Sequence, residues 1–183
     1  MAWSAAYWCP QRRELVAYLP SDGTDGLVET IRHEAFHQYL SYATAMYATS
    51  LWLNEGYAQY LENTNSLDWA LGYTTMTPDM LKKFSAAIPA LLKLDYEHFY
   101  DDETVLPRHL KYRLAWSIAV FIEKGARDVR FDPFKNLKRD YFAALLKTHD
   151  ALQATDAAFV SEDKIRLFAS EWLKWWRKRL DES

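Results

Sequence analysis

The sequence is poor in cysteine, glycine and proline. Its single cysteine, Cys9, excludes an internal disulfide and any cysteine-rich zinc site. Five glycines and six prolines among 183 residues leave no glycine-rich or proline-rich linker, and the chain has no internal repeat. We therefore predict one domain over residues 1–183, large enough to bury a hydrophobic core without disulfide or metal staples.

Long apolar runs and a strong charge of either sign are also absent. No stretch approaches the roughly 18 apolar residues that a membrane span needs. A net charge of −3 and a pI near 6.0 give no bulk electrostatic reason to bind nucleic acid or an anionic membrane. We expect a soluble chain, and its opening directly into strand-like sequence suggests the mature part of a longer exported bacterial protein, with the compartment left open.

Apolar and aromatic residues are abundant, at 50% and 16% of the chain, as in a globular protein. Residues 5–20, AAYWCPQRRELVAYLP, predict a β-hairpin, because strand-forming residues flank a polar turn. Residues 21–26 then form a loop that offers Thr24 or Asp25 as a helix cap. The fold class predicted is α+β, with a short N-terminal hairpin or sheet edge followed by a mainly helical body.

Apolar residues recur at helical spacing through most of the remaining chain. Helices are predicted over residues 27–42, 51–65, 77–84 and 109–125, with a separate short apolar segment over 89–94. Asp132 and Pro133 are predicted to open a further helix to about residue 147, and a last helix covers residues 161–180.

The first predicted helix contains the stretch HEAFH. His33 and His37 are four residues apart and project to nearly the same side of a helix, so they can present two imidazoles to one metal ion. Glu34 follows the first histidine and could reach a water on that metal, which is the arrangement of the zinc-hydrolase motif H-E-x-x-H. The apolar residues of this helix are expected to face the core, namely Ile31, Ala35, Phe36 and Leu40.

A catalytic zinc site needs three protein ligands, so a third ligand is expected downstream. A third histidine after a glycine turn, an aspartate, or a glutamate on a following helix are the possible kinds. The chain has no H-x-x-G-x-x-H continuation, and the natural candidate is Glu55 in LWLNEGYAQYLE. Gly56 beside it would allow the backbones of the two helices to approach closely.

These two motifs, from Arg32 to Glu62, resemble the gluzincin metallopeptidases of the MA clan, in which H-E-x-x-H is followed by N-E-G-x-A-x-Y. The second motif is similar to that of the M1-type aminopeptidases and of the DUF1570-like proteins of the same clan. Seventeen residues separate His37 from Glu55, one fewer than in the M1 pattern, and no GAMEN-type exopeptidase motif lies upstream. The DUF1570-like proteins are therefore the better match.

The resemblance implies a zincin-like body and a zinc-dependent peptidase acting on a peptide or protein substrate. It implies one Zn²⁺ ion held by His33, His37 and Glu55, with Glu34 as the base that takes a proton from water. Relatives supply an oxyanion donor from a later helix, which indicates Tyr112, with His109 as the alternative in the same segment.

Two other interpretations remain open at this stage. The same residues could bind zinc in a catalytically silent structural or interaction module with a zincin fold. The chain could also be an entirely structural helical domain without a metal. The aromatic residues beside the motifs, Phe36, Trp52, Tyr57 and Tyr60, are expected to pack in the core rather than to line a groove.

Overall fold

The computed structural model describes residues 6–18, 26–62, 76–126 and 134–182. Two strands, β1 (Ala6–Cys9) and β2 (Glu14–Ala17), precede the helices α1 (Leu27–Ala43), α2 (Leu51–Glu62), α3 (Pro78–Leu91), α4 (Tyr96–Tyr100), α5 (Arg108–Val120), α6 (Leu137–Thr148), α7 (Ala151–Phe159) and α8 (Glu162–Asp181). A π-helical turn, Phe121–Gly125, continues α5. The described residues thus form an antiparallel hairpin followed by eight helices, which confirms the predicted hairpin and mainly helical body.

The hairpin lies against α1. β1 and β2 pair antiparallel, with Ala6 opposite Ala17 and Trp8 opposite Leu15. The backbone N–H of Trp8 donates to Glu34 Oε2 at 2.8 Å, and its indole N–H donates to Ser41 Oγ at 3.1 Å. Both acceptors belong to α1, so one strand residue fixes the hairpin to the helix that carries the HEAFH motif.

The boundaries of two helices differ from those predicted. α3 does not end at Phe84 but continues through Pro89 to Leu91, because its last turns carry fully buried side chains such as Ile88. Core packing there outweighs the hydrogen bond that a proline cannot donate. α6 begins only at Leu137, and the predicted opening pair at 132–133 lies outside the described residues.

The cap of α1 also differs. The predicted caps at 24 and 25 lie outside the described residues, and Gly26 occupies the N-cap position with φ 76° and no side-chain hydrogen bond. α1 lies less deeply in the core than expected, since Leu40 is its one buried residue. Of the four residues expected to face the core, Leu40 is buried and the half-buried Phe36 packs against the core, whereas Ile31 and Ala35 are half-buried.

α2 is the central helix, and its backbone closely approaches that of α5. A Cβ atom placed on Gly56 would lie 2.5 Å from the carbonyl oxygen of Ala115, which is too close for any side chain. The predicted close approach at Gly56 is therefore present, but its partner is α5 rather than α1. Trp52, also on α2, is fully buried, and its indole N–H donates to Thr155 Oγ1 at 3.2 Å.

The C-terminal helix α8 closes the core with three buried tryptophans. The indoles of Trp172 and Trp176 both donate to the carbonyl oxygen of Ser117 on α5, each at 3.3 Å. Trp175 is buried beside them. None of the helices in the described ranges is both long enough and apolar enough to cross a bilayer.

Candidate metal centre

Two histidines of α1 and one glutamate of α2 bring their ligand atoms together. The distance from His33 Nε2 to Glu55 Oε2 is 3.4 Å, and the distance from His37 Nε2 to the same oxygen is 3.8 Å. One ligand atom from each residue lies within 4.8 Å of the other two. The spacing of HEAFH places both imidazoles on one side of α1, and the early position of Glu55 on α2 directs its carboxylate to them.

The outer nitrogen of each imidazole is held by an oxygen of α2. His33 Nδ1 lies 3.0 Å from Glu62 Oε2, and His37 Nδ1 lies 2.6 Å from Asn54 Oδ1. Because both oxygens are acceptors, each Nδ1 donates to α2, so the Nε2 atom of each ring is the one that faces the Glu55 carboxylate. This orientation is the one that metal-binding histidines adopt in proteins.

Glu55 uses only one of its carboxylate oxygens in a hydrogen bond. The Tyr100 hydroxyl donates to Oε1, whereas the nearest partners of the buried Oε2 are the Nε2 atoms of His33 at 3.4 Å and His37 at 3.8 Å, beyond a good hydrogen-bond distance. An unsatisfied buried carboxylate oxygen is costly unless a cation or a proton compensates it. Two imidazole nitrogens and this oxygen therefore form a donor set that fits a metal ion.

The side chains of the site pair their charges with one another. Burial disfavours the charged imidazole, but the carboxylates of Glu55 and Glu62 outweigh it and raise the pKa of His33 from 6.5 to about 9. Burial alone would raise the pKa of Glu55, yet the neighbouring His33, His37 and Tyr100 lower it. His33 is thus protonated at neutral pH and pairs with the ionised Glu55 carboxylate, so a metal ion would bind in place of that proton.

Glu34 shares a cleft of about 1100 Å³ with the three candidate ligands. Its Oε2 accepts the backbone N–H of Trp8, so the hairpin fixes the direction of the carboxylate. A carboxylate has further acceptor positions, which leaves Glu34 able to accept a proton or a second hydrogen bond. Glu34 is not a member of the ligand group, as the motif predicts.

Tyr112 lines the same cleft, whereas His109 does not. The ring of Tyr112 lies 6.1 Å from that of Tyr100, and burial together with the charge of Glu55 raises the pKa of Tyr112 above its ordinary value. Tyr112 is therefore protonated at neutral pH and able to donate a hydrogen bond. His109 is exposed on the first turn of α5 and is not among the residues that line the cleft.

Comparisons of the chain with protein-family models, curated proteins and solved structures found no match. The resemblance to gluzincins consequently rests on the two motifs alone. The function therefore has to be argued from the chemistry of the site, because a fold alone does not determine a function.

Three residues of the site were missed by sequence reasoning. Asn54 and Glu62 hold the histidines, and Tyr100 holds Glu55. The sequence did contain a signal for Asn54 and Glu62. Asn54 directly precedes Glu55, and Glu62 follows Glu55 by about two helical turns, on nearly the same face of the helix. Metal-binding histidines usually need such outer partners, so their positions could have been sought. Tyr100 has no comparable signal.

Proposed function

We propose that this chain is a zinc-dependent peptidase of the gluzincin type, hydrolysing peptide bonds at the His33–His37–Glu55 site. The observation that carries the proposal is the convergence of two imidazole nitrogens on one buried carboxylate oxygen, at 3.4 and 3.8 Å. Glu34, the fourth residue of the proposal, lines the same cleft.

Two imidazoles and a carboxylate suit Fe²⁺ as well as Zn²⁺, and we assign zinc because Glu34 completes the zinc-hydrolase motif H-E-x-x-H. Two imidazoles and one carboxylate are a ligand set of catalytic zinc sites, in which the fourth position stays open. Magnesium and calcium prefer sites made of oxygen atoms, so the imidazoles disfavour them. When bound, zinc would supply Lewis acidity that activates water and polarises a peptide carbonyl.

Two side chains, Glu34 and Tyr112, supply the other chemical roles in this proposal. Glu34 takes the proton from the attacking water and passes it to the leaving amine, a general base and acid held in direction by the Trp8 N–H. Tyr112 donates a hydrogen bond to the oxyanion that develops on the substrate. We assign this second task to Tyr112 rather than His109, because only Tyr112 lines the cleft.

A peptide or protein segment is the substrate that suits the cleft. Its volume of about 1100 Å³ exceeds what a single amino acid fills. Its walls combine apolar and aromatic side chains with polar ones, as shown by Trp8, Leu94 and Tyr96 beside Gln11 and Asn54. Such a lining fits an extended chain with mixed side chains.

One observation favours the alternative, a zinc-binding module without hydrolytic activity. The hydrogen bond from the Trp8 N–H occupies Oε2 of the Glu34 carboxylate. If this bond holds Glu34 away from the water, the same ligands would bind zinc in a silent zincin fold. Activity and metal content must therefore be measured separately.

Metal content is the first measurement. The protein is purified after incubation with zinc and analysed by elemental analysis, with His33→Ala as the variant. The expected result is about one zinc ion per wild-type chain, by the ligand count of the site, and a large loss in the variant. A wild-type chain without stoichiometric zinc would refute both the peptidase and the silent module.

Peptide hydrolysis is the second measurement, on a library of peptides with varied side chains. Glu34→Gln should keep its zinc but lose roughly 10²- to 10⁴-fold in kcat, because the amide cannot accept the proton. Glu97→Gln, on the exposed side of α4, is the matched control and should leave kcat unchanged. Zinc binding without hydrolysis by the wild type supports the silent module instead.

A further inference from the structure

One lysine of the molecule is fully buried close to the candidate metal centre. Lys111 lies on α5, directly before Tyr112, and no part of its side chain is exposed. A buried ammonium group is costly unless acceptors surround it. Its three N–H donors therefore have to be accounted for.

Three acceptors satisfy this ammonium group, and all belong to residues 98–101. Lys111 Nζ donates to the carbonyl oxygen of His98, to the carbonyl oxygen of Asp101 at 3.2 Å, and to Asp101 Oδ1 at 2.6 Å. These residues include the end of the five-residue helix α4, where carbonyl groups lack partners within the helix. The ammonium group thus donates to carbonyl oxygens that a further turn of helix would otherwise have paired.

Asp101 is itself locked in place by its own surroundings. The backbone N–H groups of Glu103 and Thr104 donate to its Oδ1 at 3.1 and 2.9 Å, and the Thr104 hydroxyl donates to Oδ2. The Lys111 ammonium therefore binds a carboxylate that cannot easily turn away. The link between α5 and the end of α4 is a rigid one.

Tyr100 stands between the two residues that Lys111 holds. Its hydroxyl donates to Glu55 Oε1, and this bond leaves Oε2 directed at His33 and His37. The short helix α4 has only five residues; its Phe99 is buried, and Tyr100 packs half-buried against the core and lies 6.1 Å from the ring of Tyr112. A helix of this length is not stable by itself, so the bonds from Lys111 add to this packing in holding Tyr100 in position.

We propose that Lys111 is a positioning residue of the metal centre, which fixes Tyr100 and through it the direction of the Glu55 carboxylate. This inference rests on the proposed metal site and adds to it a support that lies outside both motifs. Outer partners of metal ligands commonly contribute 10- to 100-fold to metal affinity. Lys111 acts one step further out, so an effect of about tenfold is expected.

The test measures zinc affinity by competition with a chelating dye, and the visible absorption spectrum of the Co²⁺-loaded protein. Lys111→Met removes the ammonium group, and Tyr100→Phe removes the hydrogen bond to Glu55. Lys138→Met is the matched control, because it removes an ion pair with Glu123 and does not line the cleft. Folding of each variant is checked by circular dichroism.

The expected result is zinc binding about tenfold weaker, with a changed Co²⁺ spectrum, in Lys111→Met and Tyr100→Phe, and neither change in Lys138→Met. Wild-type affinity and spectrum in folded Lys111→Met would overturn the inference and leave the metal site standing. No zinc binding by the wild type would overturn the metal site and this inference together. If Lys111→Met does not fold, Asp101→Asn replaces it, and unchanged zinc affinity there overturns the inference.

Discussion

The two helices that carry the candidate ligands differ sharply in burial. α2 holds Glu55 in the centre of the molecule, where Trp52 is fully buried and Gly56 touches the backbone of α5. α1 is less buried: Leu40 is its one fully buried residue and Tyr39 is 68% exposed, while the side chains of its two histidines, each 14% exposed, face α2. The site is therefore built between a fixed helix and a loosely covered one.

This difference shows how each half of the site is held. α2 contributes the third ligand together with Asn54 and Glu62, so it orients both imidazoles of α1 as well as its own carboxylate. α1 depends on those bonds and on the two hydrogen bonds from Trp8 of the hairpin. We expect the stability of α1 to respond to the metal far more than that of α2.

The largest expected effect tests the contrast in burial directly. Trp52→Ala on α2 should reduce the free energy of unfolding by about 4 kcal/mol, because it leaves a cavity in the core. Tyr39→Ala, the matched aromatic truncation on α1, should change it by less than about 0.5 kcal/mol. Urea unfolding measures both, and similar losses would refute the contrast.

Zinc should act mainly on α1. At a concentration about 100 times its dissociation constant, zinc stabilises the folded chain by about 2.7 kcal/mol if it binds only that state. Hydrogen exchange measured with and without zinc should show the larger gain in protection on α1, since α2 is already anchored in the core. Equal gains on both helices would show that α1 is as firmly held as α2 without metal.

The next prediction tests the contact between α2 and α5, which anchors the buried helix α2. Gly56→Ala should cost about 2 kcal/mol, because the new methyl group meets the backbone of Ala115 and not a side chain that could move. Gly26→Ala is the control. Its Cβ meets no atom within 4 Å, so its cost of about 1 kcal/mol comes only from the positive φ. Thermal unfolding should rank Gly56→Ala as the more damaging change.

The smallest expected effect concerns the acid sensitivity that Asp101, the partner of Lys111, gives to the fold. The hydrogen bond from Lys111, with those from Thr104, lowers the pKa of Asp101 below its ordinary value of 3.8. The folded state therefore gains stability from Asp101 above pH 3.8 and loses it as the pH falls further. In urea unfolding between pH 5 and pH 2, Asp101→Asn should show a shallower decline than the wild type. Parallel declines would contradict this assignment.

Much of the fold could be predicted because its signals are local. Strand-forming residues around a polar turn identified β1 and β2 in the sequence, and helical spacing identified α1, α2, α5 and α8. α4 has five residues, too few for a periodic pattern, and α7 is rich in small residues, so neither helix was predicted. The course of α3 past Pro89 depends on packing, which the local sequence does not contain.

The residues of the site also divide into those that the local sequence predicts and those that depend on packing. His33, Glu34 and His37 were found from the H-E-x-x-H spacing, and Glu55 from the resemblance of N-E-G-Y-A-Q-Y to a gluzincin motif; the structure brings all four to one cleft. Tyr100 reaches Glu55 from 45 residues further along the chain through the packing of α4 against α5. No rule of spacing connects a short helix to a ligand at such a separation.

The contact at Gly56 has a consequence for how the site could vary. Side chains at a helix interface can change size and so shift the helices apart, but here two backbones touch and no side chain intervenes. The distance between the helix of Glu55 and the helix of Tyr112 is thereby set by the main chain itself. Substitutions elsewhere can change the lining of the cleft, while the spacing between α2, which carries Glu55, and α5, which carries Tyr112, stays the same.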